Sequence, residues 1–382
     1  MMRVEYFLLI FFSVGFGLQA VAETHGYYDS LGKFDSSHYR SMNLSSFIFM
    51  DIDRDGRYSQ GDRPMPGIHT TLHYKDREIS KIQSNENGFS NFAASKNKSQ
   101  SPIKEKGFYT FKVHPPHDWR VTTNNDEQSR ELIDIPGSLS GTGFVEMMKP
   151  VGLASPLFIR GRALPDTLVI LENSNDQNDK QSIMTGPDGT FKFNVESGDY
   201  ILAVQGDEIS VPVKNYPVDI GSFKTPAFAP SGSSDKAYVI DFDDISDTGI
   251  RKVANGYGGL DWFNFNSLRS RFSNKSVGYI NGNVSEDYIA YSSSGHPAYI
   301  YAQDDKGFNF HSVYVSVSWP KAEGEMLMVE AWRGDEKVST DQVTLSAFGP
   351  VLYKPEIANI TKIRFSTKHY WQLVMDNLTV SQ

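Results

Sequence analysis

The run Ser46-Phe47-Ile48-Phe49-Met50-Asp51-Ile52-Asp53-Arg54-Asp55-Gly56-Arg57-Tyr58-Ser59-Gln60-Gly61-Asp62 decides how this chain is read. Its opening stretch, Ser46 to Met50, is short and mostly apolar, which predicts a buried strand. The strand leads straight into aspartates at alternate positions. In a tight loop that register turns Asp51, Asp53 and Asp55 toward one centre. Ser59 and Asp62 follow at positions 9 and 12 of a twelve-residue loop, Arg57 offers its carbonyl, and Gly56 at position 6 permits the sharp turn. Calcium requires about six to eight oxygens at roughly 2.3–2.6 Å, and this spacing supplies oxygens in the right order. The last ligand is Asp62 where a longer glutamate is usual, which shortens its reach. The flanks read as strands, so the loop is not a helix–loop–helix sensor. The expected cofactor is Ca2+ in a structural role, relieving repulsion among crowded carboxylates.

Working outward, alternation returns at Ile68–Tyr74. Asn87-Gly88 signals a turn into alternating phenylalanines, and Gly107–Val113 is a further strand closed by Pro115-Pro116. These define a first domain over 41–126, preceded by a polar lead-in at 23–40 and followed by a connector at 127–150. A second unit, 151–223, repeats the pattern. Gly189 precedes Phe193 by the same interval at which Gly88 precedes Phe92, so two related sandwiches in tandem are expected. A Pro/Ser/Gly-rich linker at 224–236 then predicts a separable third domain, 237–382. Its strand-like runs, Tyr238–Phe242, Val313–Trp319, Met326–Trp332, Lys362–Phe365 and Trp371–Val374, fit a jelly roll. The fold class is therefore all-β: two tandem Ig-like or prealbumin-like β-sandwiches and a C-terminal jelly-roll β-sandwich, behind a signal peptide.

That signal occupies residues 1–22. Arg3 supplies the charge, Phe7 to Phe16 the apolar region, and Ala20-Val21-Ala22 the cleavage site. No second apolar run of spanning length follows, so no integral membrane insertion is expected after cleavage. The expected location is outside the cell or in the periplasm, association with the cell surface included. The chain has no cysteine, so its exported domains fold on core burial and bound metal instead of disulfides. The net charge of −9 argues against nucleic acid as a partner. There is no HExxH motif and no serine at a nucleophile elbow, and no carboxylate pair stands out, so no catalytic residue is assigned. His69 with His73, and His114 with His117, are read as structural.

Three stretches resemble known families. Phe49-Met50-Asp51-x-Asp53-x-Asp55-Gly56, Gly61-Asp62, Pro66-Gly67-Ile68, Asn87-Gly88 and Val113-x-Pro115-Pro116 resemble the B-type repeat of serine-aspartate-repeat surface adhesins over residues 46–124. That implies a calcium-stiffened spacer. Residues 153–215, through Pro187-Asp188-Gly189-x-Phe191-x-Phe193 and Gly198-Asp199-Tyr200, resemble the carboxypeptidase-regulatory or collagen-adhesin B-type sandwich. Arg160 stands on the strand where the crosslinking lysine of such domains would be, so no isopeptide bond is expected. Residues 237–382 resemble an unnamed domain of secreted proteins and jelly-roll carbohydrate-binding modules. The latter implies a second calcium between the first and last strands, with Asp243 and Asp376 as ligands. For sugar, which stacks its CH faces on aromatic rings, the candidates are Tyr257, Trp262, Trp332, Tyr370 and Trp371. The reading is an adhesin or matrix protein whose partner is a polysaccharide or cell-surface glycan. The alternative is a structural module contacting other surface proteins without sugar affinity, with an enzyme of unrecognised site behind both.

Overall fold

The structure is a computed structural model describing residues 41–95, 102–132, 148–223, 236–245, 249–272, 277–304 and 307–382. The expected signal peptide and lead-in, most of the connector, and linker residues 224–235 lie outside the described residues. The chain is all-β and divides into two compact units, the second comprising Asp118–Arg120 and everything from Ser155 onward.

The first unit contains β1 (Ser41–Met50), β2 (Arg63–Pro64), β3 (His69–Tyr74), β4 (Arg77–Gln83), β5 (Phe89–Ser95), β6 (Gly107–His114), β7 (Arg120–Val121), β8 (Glu127–Leu132) and β9 (Val151–Ala154). One sheet runs β2-β1-β9-β7 with β5 on β1, the other β4-β3-β6-β8. Strand β1 begins five residues before the expected apolar run. Its polar start pairs through backbone with β5, Ser41 opposite Ser95, a ladder that needs no apolar side chain. Ile48, Leu72, Phe92 and Phe111 are buried between the sheets, while Phe49 is buried on the other face of β1 beside Phe47 and Tyr58. At about 25 cal/mol per Å2 of apolar surface, each such side chain contributes roughly 1.5–3 kcal/mol.

The second unit opens with the same plan: β10 (Phe158–Arg162), β11 (Leu168–Asn173), β12 (Asp176–Met184), β13 (Thr190–Asn194), β14 (Gly198–Val204), β15 (Asp207–Val213) and β16 (Val218–Ser222). Strands β13-β10-β16 repeat β5-β1-β9, antiparallel then parallel, and β12-β11-β14-β15 repeats β4-β3-β6-β8. The repeat extends to atoms. Gly88 and Gly189 have φ of 76–78°, each donates its N–H three residues back, and their carbonyls accept from Ile48 and Ala163. Tyr109 and Tyr200 each donate their hydroxyl to the carbonyl four residues earlier, that of Glu105 and Glu196, as a tyrosine corner does.

The rest of this unit is β17 (Tyr238–Ile240), β18 (Arg251–Lys252), β19 (Leu260–Phe263), β20 (Phe265–Arg269), β21 (Tyr288–Ser292), β22 (Ala298–Ala302), β23 (Phe308–Val317), β24 (Met326–Arg333), β25 (Glu336–Thr344), β26 (Val351–Tyr353), β27 (Ile357–Ile360), β28 (Lys362–Thr367) and β29 (Leu373–Ser381). Sheet β19-β22-β28-β24-β25 packs on a sheet built around β23 and β29. The first and last strands are antiparallel neighbours, Ile240 opposite Leu378. The second and C-terminal sandwiches, expected as separable domains, share one sheet: β16 pairs in parallel with β26, so β13-β10-β16-β26-β23-β29 is continuous. Sequence patterning cannot reveal such a pairing, because each strand keeps the same alternation whatever lies at its edge.

Candidate metal centre and binding faces

Asp51 ends β1, and its N–H is tied to the Leu153 carbonyl at 3.0 Å. The side chain is 1% exposed. Its Oδ2 accepts from Gly56 N–H at 2.9 Å, while Oδ1 is buried with no hydrogen-bond partner among the described residues. A buried carboxylate oxygen without a donor costs several kcal/mol unless a cation meets it. Asp53 and Asp55 offer oxygens lying, with one from Asp51, within 4.8 Å of one another. Two oxygens bound to one calcium at about 2.4 Å can be at most about 4.8 Å apart, so the three fit a single ion. Asx-type bonds hold the turn: Asp53 Oδ1 accepts from Asp55 N–H and Asp55 Oδ1 from Arg57 N–H. Gly56 has φ 76°, and a Cβ there would stand 3.0 Å from the Thr122 carbonyl oxygen. Tyr58 packs edge-on against Phe47 and Phe49, fixing the loop to β1.

The remaining loop positions differ in role. Ser59 donates its hydroxyl to Asp53 Oδ2 at 3.2 Å. Asp62 faces the loop backbone, accepting Ile52 N–H at Oδ1 and Ser59 N–H at Oδ2, both at 2.8 Å. Burial, with Asp51 and Asp53 nearby, raises the Asp62 carboxyl above its ordinary value, against the pull of those two donors. The residues thus fit calcium through Asp51, Asp53 and Asp55, with Asp62 bracing the loop shut.

Asp243 and Asp376 meet one segment, 284–288. Asp376 is fully buried and accepts from Val284 and Ser285 N–H, the Ser285 hydroxyl and Asn377 N–H. Burial drives its carboxyl up to about 6 despite these donors. Asp243 accepts from the N–H groups of Glu286, Asp287 and Tyr288 at 2.8–3.0 Å. Burial raises its carboxyl, but the donors outweigh it and leave it below the usual range. These two carboxylates take the place of a missing sheet partner for the segment leading into β21.

The five aromatic candidates scatter. Trp262 is 2% exposed and donates its indole N–H to the Tyr257 carbonyl. It is a core residue wedged against Phe242 and Phe265, with no ring face open to a sugar. Tyr257 stacks on Phe242 and donates its hydroxyl to Asp244. Trp371 packs on the core. Tyr370 is 66% exposed and edge-on to His296. Trp332 lies on the outer face of sheet β19-β22-β28-β24-β25, with Lys362 Nζ 4.2 Å above its ring.

That outer face carries rings the sequence reading missed. Phe263 is 57% exposed and pairs with Tyr299; Tyr301 stacks beside Tyr299 at 5.9 Å and 15°. Two rows cross the sheet: Phe263, Tyr299, Arg364, Glu330; and Asp261, Tyr301, Lys362, Trp332. The signal was present in Ala298-Tyr299-Ile300-Tyr301, where small or aliphatic residues point inward and tyrosines outward. Likewise His73 and His114, which the sequence places in different pairs, both bond the Thr71 hydroxyl across β3 and β6.

Among the described residues no helix is long and apolar enough to cross a membrane. No protein-family model matches the chain, and no curated protein matches it. Several solved structures are similar in part. The shaft pilin SpaA of Lactobacillus rhamnosus GG has 10% identity over 48% of this chain and 97% of its own, with a TM-score of 0.23. A cleaved adhesin domain of Lys-gingipain from Porphyromonas gingivalis has 9% identity over 38% and 97%, with a TM-score of 0.26. The CBM51 module of Clostridium perfringens GH95, solved with methyl-galactose, has 12% identity over 37% and 99%, with a TM-score of 0.21. Identity and TM-score are too low for any of these to bear on ligand or activity.

Proposed function

We propose that this is a calcium-stabilised β-protein of the cell exterior, in which the first sandwich is a spacer locked by an ion in loop 51–62. The observation that carries this reading is the buried, donorless Oδ1 of Asp51 beside the carboxylates of Asp53 and Asp55. The export signal at residues 1–22 supports the location. Calorimetric titration of the chelator-treated chain with calcium tests it. A saturable site that disappears in Asp51→Asn is the expected result, and no calcium uptake by the wild-type chain rejects the reading.

The C-terminal sandwich supports a second reading, carbohydrate binding, favoured by the exposed Phe263 and the half-buried Tyr299 and Tyr301 on one sheet face. Near-parallel rings accept the CH faces of pyranoses, and Asp261 and Lys362 in the adjoining row can bond hydroxyls. On a glycan array, binding by the full chain that Tyr301→Ala abolishes is the expected pattern. If no glycan is retained, the C-terminal sandwich is a structural or protein-contacting module.

A further inference from the structure

We propose that the cleft where the second sandwich meets β24 and β25, within the second unit, binds the carboxylate of a sugar acid, with Arg162 as the principal anchor. The cleft has a volume of about 400 Å3, within the range of about 300–1,000 Å3 typical of small-ligand sites. Its cations come from adjoining strands. Arg160 and Arg162 lie two apart on β10, so both point to the same face. Lys192 stands directly opposite Arg160 on β13. Like charges placed opposite one another are unfavourable in a sheet, and here they gather in a chain of net charge −9.

Arg160 is ion-paired with Asp219 at 2.6 Å and Lys192 lies 3.9 Å from Asp118, which leaves Arg162 as the cation of this group without an ion pair among the described residues. Asp219 takes Arg160 Nε on one oxygen and Gly221 N–H on the other. Asp341 is occupied by Ser222 and the Tyr353 hydroxyl. Arg160 also donates to the Thr344 carbonyl, so it is held as part of the wall. Arg162 donates one N–H to the neutral Gln342 Oε1 at 2.9 Å, and among the described residues it forms no ion pair. A guanidinium presents its donors in a fixed fork that matches a carboxylate. Ile183, Met184 and Met326 give the cleft apolar lining, suited to the CH groups of a ring, while Gln342 and Thr190 can meet hydroxyls. A charged head on a ring of mixed polarity is the chemistry of a uronic acid. The site is separate from the aromatic sheet face and does not depend on it.

The test is titration of the full chain with glucuronate, acetate and glucose, followed by calorimetry. Glucuronate should bind at least about tenfold more tightly than either acetate or glucose, since it alone supplies both charge and ring. Arg162→Gln should weaken glucuronate by about tenfold or more, the loss of a charged hydrogen-bonded pair, without moving the thermal midpoint. Tyr301→Ala should leave it unchanged. Acetate equal to glucuronate, glucose equal to glucuronate, no binding at all, or an Arg162→Gln variant with wild-type affinity would each overturn the proposal.

Discussion

Asp51→Asn separates a metal ligand from a structural hydrogen-bond acceptor, because the two roles predict opposite effects without calcium. Oxygens of Asp51, Asp53 and Asp55 lie within 4.8 Å of one another. At that distance each pair of charges repels by about 0.9 kcal/mol at water's dielectric constant. Asp51 takes part in two of the three pairs, so removing its charge relieves about 2 kcal/mol in chelator. Asparagine keeps an oxygen for Gly56 N–H and turns an NH2 group toward the remaining carboxylates. With chelator the variant should therefore melt several degrees above wild type. With calcium at about a hundred times its dissociation constant, wild type gains about 2.7 kcal/mol by linkage. For a domain of this size that corresponds to a midpoint about 10–20 °C higher, and Asp51→Asn should lose most of the gain. The assay is thermal unfolding of both proteins in calcium and in chelator. Wild-type curves that coincide in the two conditions would refute the metal. A variant destabilised equally in both would show that Asp51 serves only the Gly56 turn.

Further outcomes follow from packing and charge. Gly189→Ala would set a Cβ 2.1 Å from the Ala163 carbonyl oxygen at φ 76°; a loss of about 2–4 kcal/mol is expected, read by urea unfolding. Asp341→Ala strands the Ser222 and Tyr353 donors in a buried site; it should cost about 3–5 kcal/mol and split the calorimetric transition of the second unit into two. Glu330 is held below its ordinary range by Lys337, against burial, and by Arg364. The stabilisation it supplies is present above the unfolded carboxylate value of about 4.3 and is lost as pH falls through the depressed native value. Glu330→Gln should thus melt below wild type at pH 6–7, by roughly 1 kcal/mol or less, with the gap narrowing as the pH is taken down through the carboxylate range.

What the sequence made legible is local. The clustering of Asp51, Asp53 and Asp55 could be read because they lie within five residues, and the tandem sandwiches because Gly88 and Gly189 repeat one turn. Features set by distant pairing could not be read. Trp262 and Phe263 are neighbours in sequence, yet one is in the core and the other on the surface; which is which depends on the register of β19 against β22. Asp62 was singled out by spacing, while its two backbone contacts, from Ile52 N–H and Ser59 N–H, depend on how the loop closes. The merger of the second and C-terminal sandwiches rests on a parallel pair, Val218 with Leu352 and Asp219 with Tyr353, which leaves no trace in either segment.

That merger bears on the order in which the chain can mature. Strand β16 closes the second sandwich, but among the described residues its outer edge is covered by β26 and by contacts such as Ser222 to Asp341, 119 residues further along. In a chain that emerges from its amino end, β16 waits with unpaired backbone until most of the C-terminal sandwich has appeared. An open strand edge is a template for wrong partners, and contacts this distant in sequence form slowly. The interval between the emergence of Ser222 and that of Tyr353 is therefore the most hazardous stage in this protein's biogenesis, and the stage at which a holding chaperone would have most effect.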